Sequence, residues 1–208
     1  MNNCTISIPT KHFAAAIHAA SKRDIRYYLN GVYVEATEKE TRCTATNGYL
    51  AATFRHRMDI GNGMGGEKLV TLIVPRDTVE LVNKATRGKG MIQLERTEGR
   101  WTAVTALARF PFEPVDGKFP DYRRVFPSGA PSGEPAQFDP ELLGVFAKVA
   151  KALGNPWIPE VAHNGVHDGA RVTLNGQHDF VGVVMPWRCP KGKRADVDPS
   201  WATAALAD

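Results

Sequence analysis

Three histidines stand near one another late in the chain, His163, His167 and His178, the first two within the string HNGVH. Imidazoles are the commonest metal ligands and general bases, so such a group is the first place to look for chemistry. Here they fall in a Gly- and Asn-rich turn region with no CxxC partner, and neither a metal site nor a catalytic role is assigned to them. The string GNGMGGEK (61–68) is glycine-rich but lacks the G-x-x-x-x-G-K-[ST] spacing of a phosphate loop, and it reads as a connection between elements. No nucleophile elbow is visible, and no acid pair stands apart from ordinary surface carboxylates. The expectation is therefore a protein that is not an enzyme and needs no cofactor.

Non-covalent chemistry is better served by VVMPWRC (183–189). Met185 offers a deformable, polarizable wall for varied apolar side chains. Pro186 withholds a ladder donor and so favours an edge position. Trp187 and Arg188 are residue types enriched at binding hot spots. On composition alone the blander alternative stands: Val183, Val184 and Met185 close a core, and Trp187 is a packed aromatic.

The bulk composition bounds the rest. With 208 residues, 43% hydrophobic and 23% charged, the chain has the makeup of a globular protein with room for one large or two small domains. No run approaches the ~18 apolar residues of a membrane span. Pro9, Lys11 and His12 break the apolar stretches at the start, which makes a poor signal peptide. Cys4, Cys43 and Cys189 are odd in number and far apart, fitting a reducing cytoplasm. A net charge of +4 permits a polyanion as partner without requiring one.

The elements that must position these residues show in an internal repeat. ISIPTKHFAAAIHAAS (6–21), LIVPRDTVELVNKAT (72–86) and AQFDPELLGVFAKVAKAL (136–153) each read as a short strand, a turn at Pro9, Pro75 or Asp139, and an amphipathic helix. Asp139, Pro140 and Glu141 make an N-cap, a first-turn proline and a first-turn acid. Leu142, Val145, Phe146, Val149 and Leu153 then form one stripe at helical spacing. Strand-like stretches follow each helix, so the predicted class is α+β with three β-α-β-β-β units. Two units (about 1–66 and 67–127) make a complete domain over 1–127, a Pro/Gly/Ser-rich linker spans 128–137, and half a domain covers 138–188. In the tail, 189–208, Asp198 and Pro199 offer a helix start and Trp201 and Leu206 an apolar face.

The strings KRDIRYYLNGVYVEA…ATNGYLAA (22–52), LIVPRDTVELV (72–82), FPDYRRVFP (119–127) and FVGVVMPWR (180–188) resemble, in order, the bacterial DNA polymerase sliding clamp, the replicative β-subunit family. The likeness runs from about residue 5 to 188 and corresponds to that family's second domain and the final half of its third. It implies the DNA-clamp fold and a processivity factor that encircles DNA without an active site. It also implies a hydrophobic cleft for short linear motifs of DNA polymerases and clamp-loader proteins. The matching cleft positions are Leu29, Thr46, Gly48, Tyr49, Leu50, Pro120, Arg124, Val125, Val183, Val184, Met185, Pro186, Trp187 and Arg188. Where the family has His-Arg-Leu, this chain has Tyr49, Leu50 and Ala51, which reshapes one end of the groove.

The resemblance further implies non-specific contact with double-stranded DNA from Lys22, Arg23, Arg26, Tyr27 and Tyr28, cations and aromatics suited to phosphates and to stacking. Lys84, Arg87, Lys148 and Lys151 lie late in their helices, where basic residues also complement the helix dipole. Three units where the family has six imply a homo-oligomer, for instance four copies in a ring, with orphan third units pairing about a two-fold axis. The alternative is an adaptor that keeps the cleft without encircling DNA and competes for clamp-binding proteins or the host clamp.

Overall fold

The computed structural model describes residues 3–127 and 129–188. The expectations for the tail, with its cap at Asp198 and its apolar Trp201 and Leu206, lie outside the described residues. The first unit runs β1 (Cys4–Pro9), α1 (Thr10–Ala16), β2 (Gly31–Ala36), β3 (Glu40–Thr46) and β4 (Leu50–Arg57). The second runs β5 (Val70–Pro75), α2 (Arg76–Thr86), β6 (Met91–Thr97), β7 (Arg100–Val104) and β8 (Arg109–Phe112). The third consists of α3 (Pro140–Ala152), β9 (Glu160–Ala162), β10 (Ala170–Thr173) and β11 (Phe180–Val184).

Local sequence explains these elements. Cys4, Ile6 and Ile8 alternate inward along β1, as Ile92 and Leu94 do along β6. Pro9 and Pro75 end their strands in extended backbone, and each helix starts at the next residue. At α3 the Asp139 carboxylate accepts from the Glu141 backbone N–H at 2.8 Å, as its cap position requires. Glu98 and Gly99, both at positive φ, close the hairpin between β6 and β7.

The first two units complete each other. β1 pairs antiparallel with β6 of the second unit, and β5 with β2 of the first. The result is one four-stranded sheet, β1-β6-β7-β8, and one seven-stranded sheet, β5-β2-β3-β4-β11-β10-β9. α1 packs on both α2 and α3. The third unit differs from expectation, because among the described residues no strand leads directly into α3. The reason lies in the pairing rule: a leading strand needs another unit's sheet to join, and among the described residues the third unit has no such partner.

β11 joins β4 in the seven-stranded sheet, with Val183 opposite Ala51 and Val184 opposite Leu50. Beneath this joint Phe54 meets Phe180 at 5.3 Å, and Phe146 of α3 meets Phe180 at 6.4 Å. Phe13, Phe54 and Phe146 are fully buried in the same cluster. A smaller cluster of Leu29, Ile73, Phe119 and Tyr122, with Tyr33 stacked on Phe119 at 4.6 Å, fastens the chain around 119–126 to β2 and β5.

Candidate peptide-binding cleft

At the start of β4 a tight turn presents residues 46–50. Thr46 Oγ1 donates to the Leu50 carbonyl at 2.6 Å and accepts from the Gly48 N–H at 3.0 Å. Asn47 Oδ1 accepts from the N–H groups of Tyr49 and Leu50 at 2.9 and 3.0 Å. Gly48 has φ +90, and the Arg26 guanidinium lies directly above it, where a Cβ would stand 2.8 Å from Nη1. Glycine is thus favoured here by its backbone conformation, and a Cβ would in addition displace the end of the Arg26 side chain.

Arg26 is held in place from its own loop. It donates to both oxygens of Asp24, from Nε at 3.1 Å and Nη2 at 2.8 Å, and to the Asn47 carbonyl at 3.2 Å. These bonds hold the Asp24 carboxyl down at about 2 and raise the Arg26 guanidinium above its ordinary range. On the opposite side the 3-10 turn Tyr122–Val125 is anchored by Glu35 of β2, which accepts from Tyr122 Oη and, at 2.8 Å, from Arg123 Nη2. Burial first, and then the carboxylate beside it, push the Tyr122 phenol up to about 12.

Between these turns lies an apolar cleft of about 300 Å³. Leu50 and Ala51 of β4 and Val183 and Met185 at the end of β11 line it together with Leu29, Thr46, Gly48, Tyr49, Pro120 and Val125. Arg26, Tyr28, Asp121 and Tyr122 complete the lining. The first and third units therefore both contribute, and the β4–β11 ladder brings their residues together. Leu29 is buried at the base, whereas Tyr49 is 64% and Val125 43% exposed at the rim. Such a cleft, mostly apolar with a few fixed polar groups, suits large apolar side chains of an extended peptide.

The remaining expected residues fall elsewhere. Val184 alternates away from Val183 into the core and is fully buried. Pro186 does not mark an edge: β11 sits between β4 and β10, and the proline lies just past its end. Its missing donor costs nothing there, because Met185 N–H already extends the ladder to the Tyr49 carbonyl at 2.8 Å and Trp187 N–H reaches the Gln137 carbonyl at 2.7 Å. Trp187 and Arg188 are exposed outside the cleft. Arg124 lines a shallower polar hollow next to it, sharing Val125 and Met185 with the cleft.

Of the residues implied as DNA contacts, Lys22, Arg23, Arg26 and Tyr27 stand exposed and Tyr28 is half-buried, and Arg26 and Tyr28 also line the cleft. Sequence reasoning named Ala51 only as reshaping one end of the groove and did not place Arg26, Tyr28, Asp121 or Tyr122 in the cleft. The Asp24-x-Arg26 spacing was the available signal that Arg26 is held by its own loop. His163 is occupied structurally: Nδ1 accepts from the Ala136 N–H at 3.1 Å, and its ring meets Phe138 edge-on at 5.3 Å. Among the described residues no helix is long and apolar enough to cross a membrane.

Comparison with known proteins bears on this arrangement. The family described as DNA polymerase III beta subunit, central domain, matches residues 7–121, more than half of the chain. The beta sliding clamp of Proteus mirabilis is 38% identical over 107 residues, covering 50% of this chain and 28% of that protein. That of Vibrio cholerae is 32% identical over 158 residues, covering 74% and 41%. The chain thus spans less than half the length of these relatives. Among solved structures, the DNA polymerase III beta subunit of Thermotoga maritima superposes with a TM-score of 0.71 at 15% identity, covering 91% of this chain and 67% of that one. The Pseudomonas aeruginosa sliding clamp crystallised with ligand gives 0.68 at 20%, covering 89% and 66%. The superpositions speak to the fold alone, which this chain shares with clamps over about nine-tenths of its length. With the central-domain match across 7–121, the chain belongs to the DNA polymerase III beta subunit family.

Proposed function

We propose that this protein is a clamp-like processivity factor whose cleft holds short linear motifs of polymerases and clamp-loader proteins on DNA. The observation that carries the reading is the joint cleft, walled by Leu29 and Leu50 of the first unit, Val183 and Met185 of the third, and Val125 from the end of the second. Family membership supports the same reading. Tyr49 at the rim replaces the imidazole usual in the family with a larger phenol, narrowing that end for the peptide.

The test is fluorescence anisotropy with a labelled peptide carrying the apolar clamp-binding motif of a bacterial replicative polymerase. Saturable binding is expected, and Met185→Asp should weaken it at least about tenfold, some 1.4 kcal/mol. Equal affinity of the Met185→Asp protein, with its melting temperature preserved, would refute the assignment of the cleft.

A second reading, the adaptor that does not encircle DNA, is favoured by one observation. Tyr28 is half-buried in the cleft wall, and Arg26, though exposed, is tied there to Asp24 and the Asn47 carbonyl, which leaves Lys22, Arg23 and Tyr27 as the uncommitted part of the implied DNA contact. The two readings part on closed circular DNA. A clamp is retained on the circle and released by cutting it, whereas an adaptor binds peptide with no such retention.

A further inference from the structure

Each of the first two units leaves two features for the other to complete: a strand before its helix, and an open edge on the strand after it. β1 closes the edge of β6, and β5 closes that of β2. β9 holds the same place in the third unit as β2 and β6 do in theirs, directly after the helix, but among the described residues its outer side has no partner strand and it ends the seven-stranded sheet. The chain before α3 cannot fill that place itself. It crosses beyond the end of β9, where Gly133 N–H donates to the His163 carbonyl at 3.1 Å and Gly165 N–H to the Glu134 carbonyl at 3.0 Å.

Apolar surface gathers at this unpartnered side. Trp157 is 59% and Ile158 84% exposed immediately before β9, whereas the turn after α2 carries Arg87, Gly88, Lys89 and Gly90 at the corresponding place. A free sheet edge beside exposed aromatic and aliphatic side chains is a template for strand addition. The molecule itself contains the complementary shape, since two of its own units already pair about a pseudo-two-fold in this way.

We infer that the third unit is a self-association surface, and that its occupant is the third unit of a second copy of this chain. The copies pair about a two-fold axis, with the open edge of β9, Trp157 and Ile158 at the contact. Such an interface is isologous, so each residue that gains a neighbour on one copy gains it on the other. The inference does not depend on what the cleft binds.

The experiment is light scattering coupled to gel filtration on the full chain, over a concentration series, beside the variant Trp157→Asp/Ile158→Asp. The native protein is expected at an even multiple of the 22.8-kDa chain mass, and the variant at half the native mass. Both side chains are largely exposed, so the variant's circular dichroism should match that of the native protein. A native monomer at every concentration overturns the inference, and so does an oligomer whose mass the variant leaves unchanged. Should the double variant lose its fold, Ile158→Cys in a Cys189→Ser background decides. A disulfide-linked dimer under oxidation supports the interface, and its absence, with Ile25→Cys as the exposed control elsewhere, removes it.

Discussion

His12 is the residue whose surroundings most contradict its chemistry. It sits on the inner side of α1 between Phe54, at 5.7 Å, and His56, at 6.3 Å, and its buried Nδ1 has no hydrogen-bond partner. Burial, then Lys11 and His56, lower its imidazole from 6.5 to about 4, with Asp179 opposing weakly. The folded state therefore resists a proton that the unfolded chain accepts. Stability from this residue is intact above pH 6.5, falls as pH drops toward 4, and is level below that. The full loss is about 3 kcal/mol. His18 and His56, also lowered by burial, act in the same direction. Urea unfolding at pH 7.5 and 4.5 checks this: His12→Phe should remove most of the difference, and an unchanged difference would assign the acid sensitivity to other groups. Nothing in the sequence announced this site. KHFAAA reads as a helix turn, and the burial of its histidine depends on β4, some forty residues on.

Two glycines of the third unit separate what an element needs from what its packing needs. Gly144 lies within α3 with open space around a prospective Cβ, whereas a Cβ on Gly182 of β11 would run into the Phe146 ring. Gly144→Ala should therefore stabilise by about 0.5–1 kcal/mol through helix propensity. Gly182→Ala should destabilise by about 1–3 kcal/mol through overpacking. Thermal melts of the two variants would show opposite shifts, and a shared sign would contradict the packing described. The sequence gives no way to tell these glycines apart, because the Phe146–Gly182 contact joins a helix to a strand from the far end of the unit. What was legible at this scale was local: the Asp139 cap, the α3 stripe and the strand-to-helix turns at Pro9 and Pro75 all depend on neighbours within a few residues. The strand expected before α3 was misjudged for the complementary reason. Its sequence resembles its two counterparts, but a leading strand forms only where another unit offers an edge.

At the scale of the molecule, most positions that the resemblance of four strings implied, including Leu29, Thr46, Leu50, Val125, Val183 and Met185, line one cavity. The resemblance could not assign Val184 or Pro186, because strand alternation and the end of β11 are set by pairing with β4. Nor could it show that Arg26 and Tyr28 belong to the cleft wall. The seven-stranded sheet also has a consequence for how the protein holds together. Its two parts meet through the β4–β11 ladder and the phenylalanines beneath, and not merely through the peptide chain that links them. Severing the backbone between residues 128 and 137 would yield a matched pair of fragments. Their reunion would rebuild a cleft that neither half presents alone, so under the proposed function peptide binding would report assembly, and a bound motif would act as a rivet through the seam.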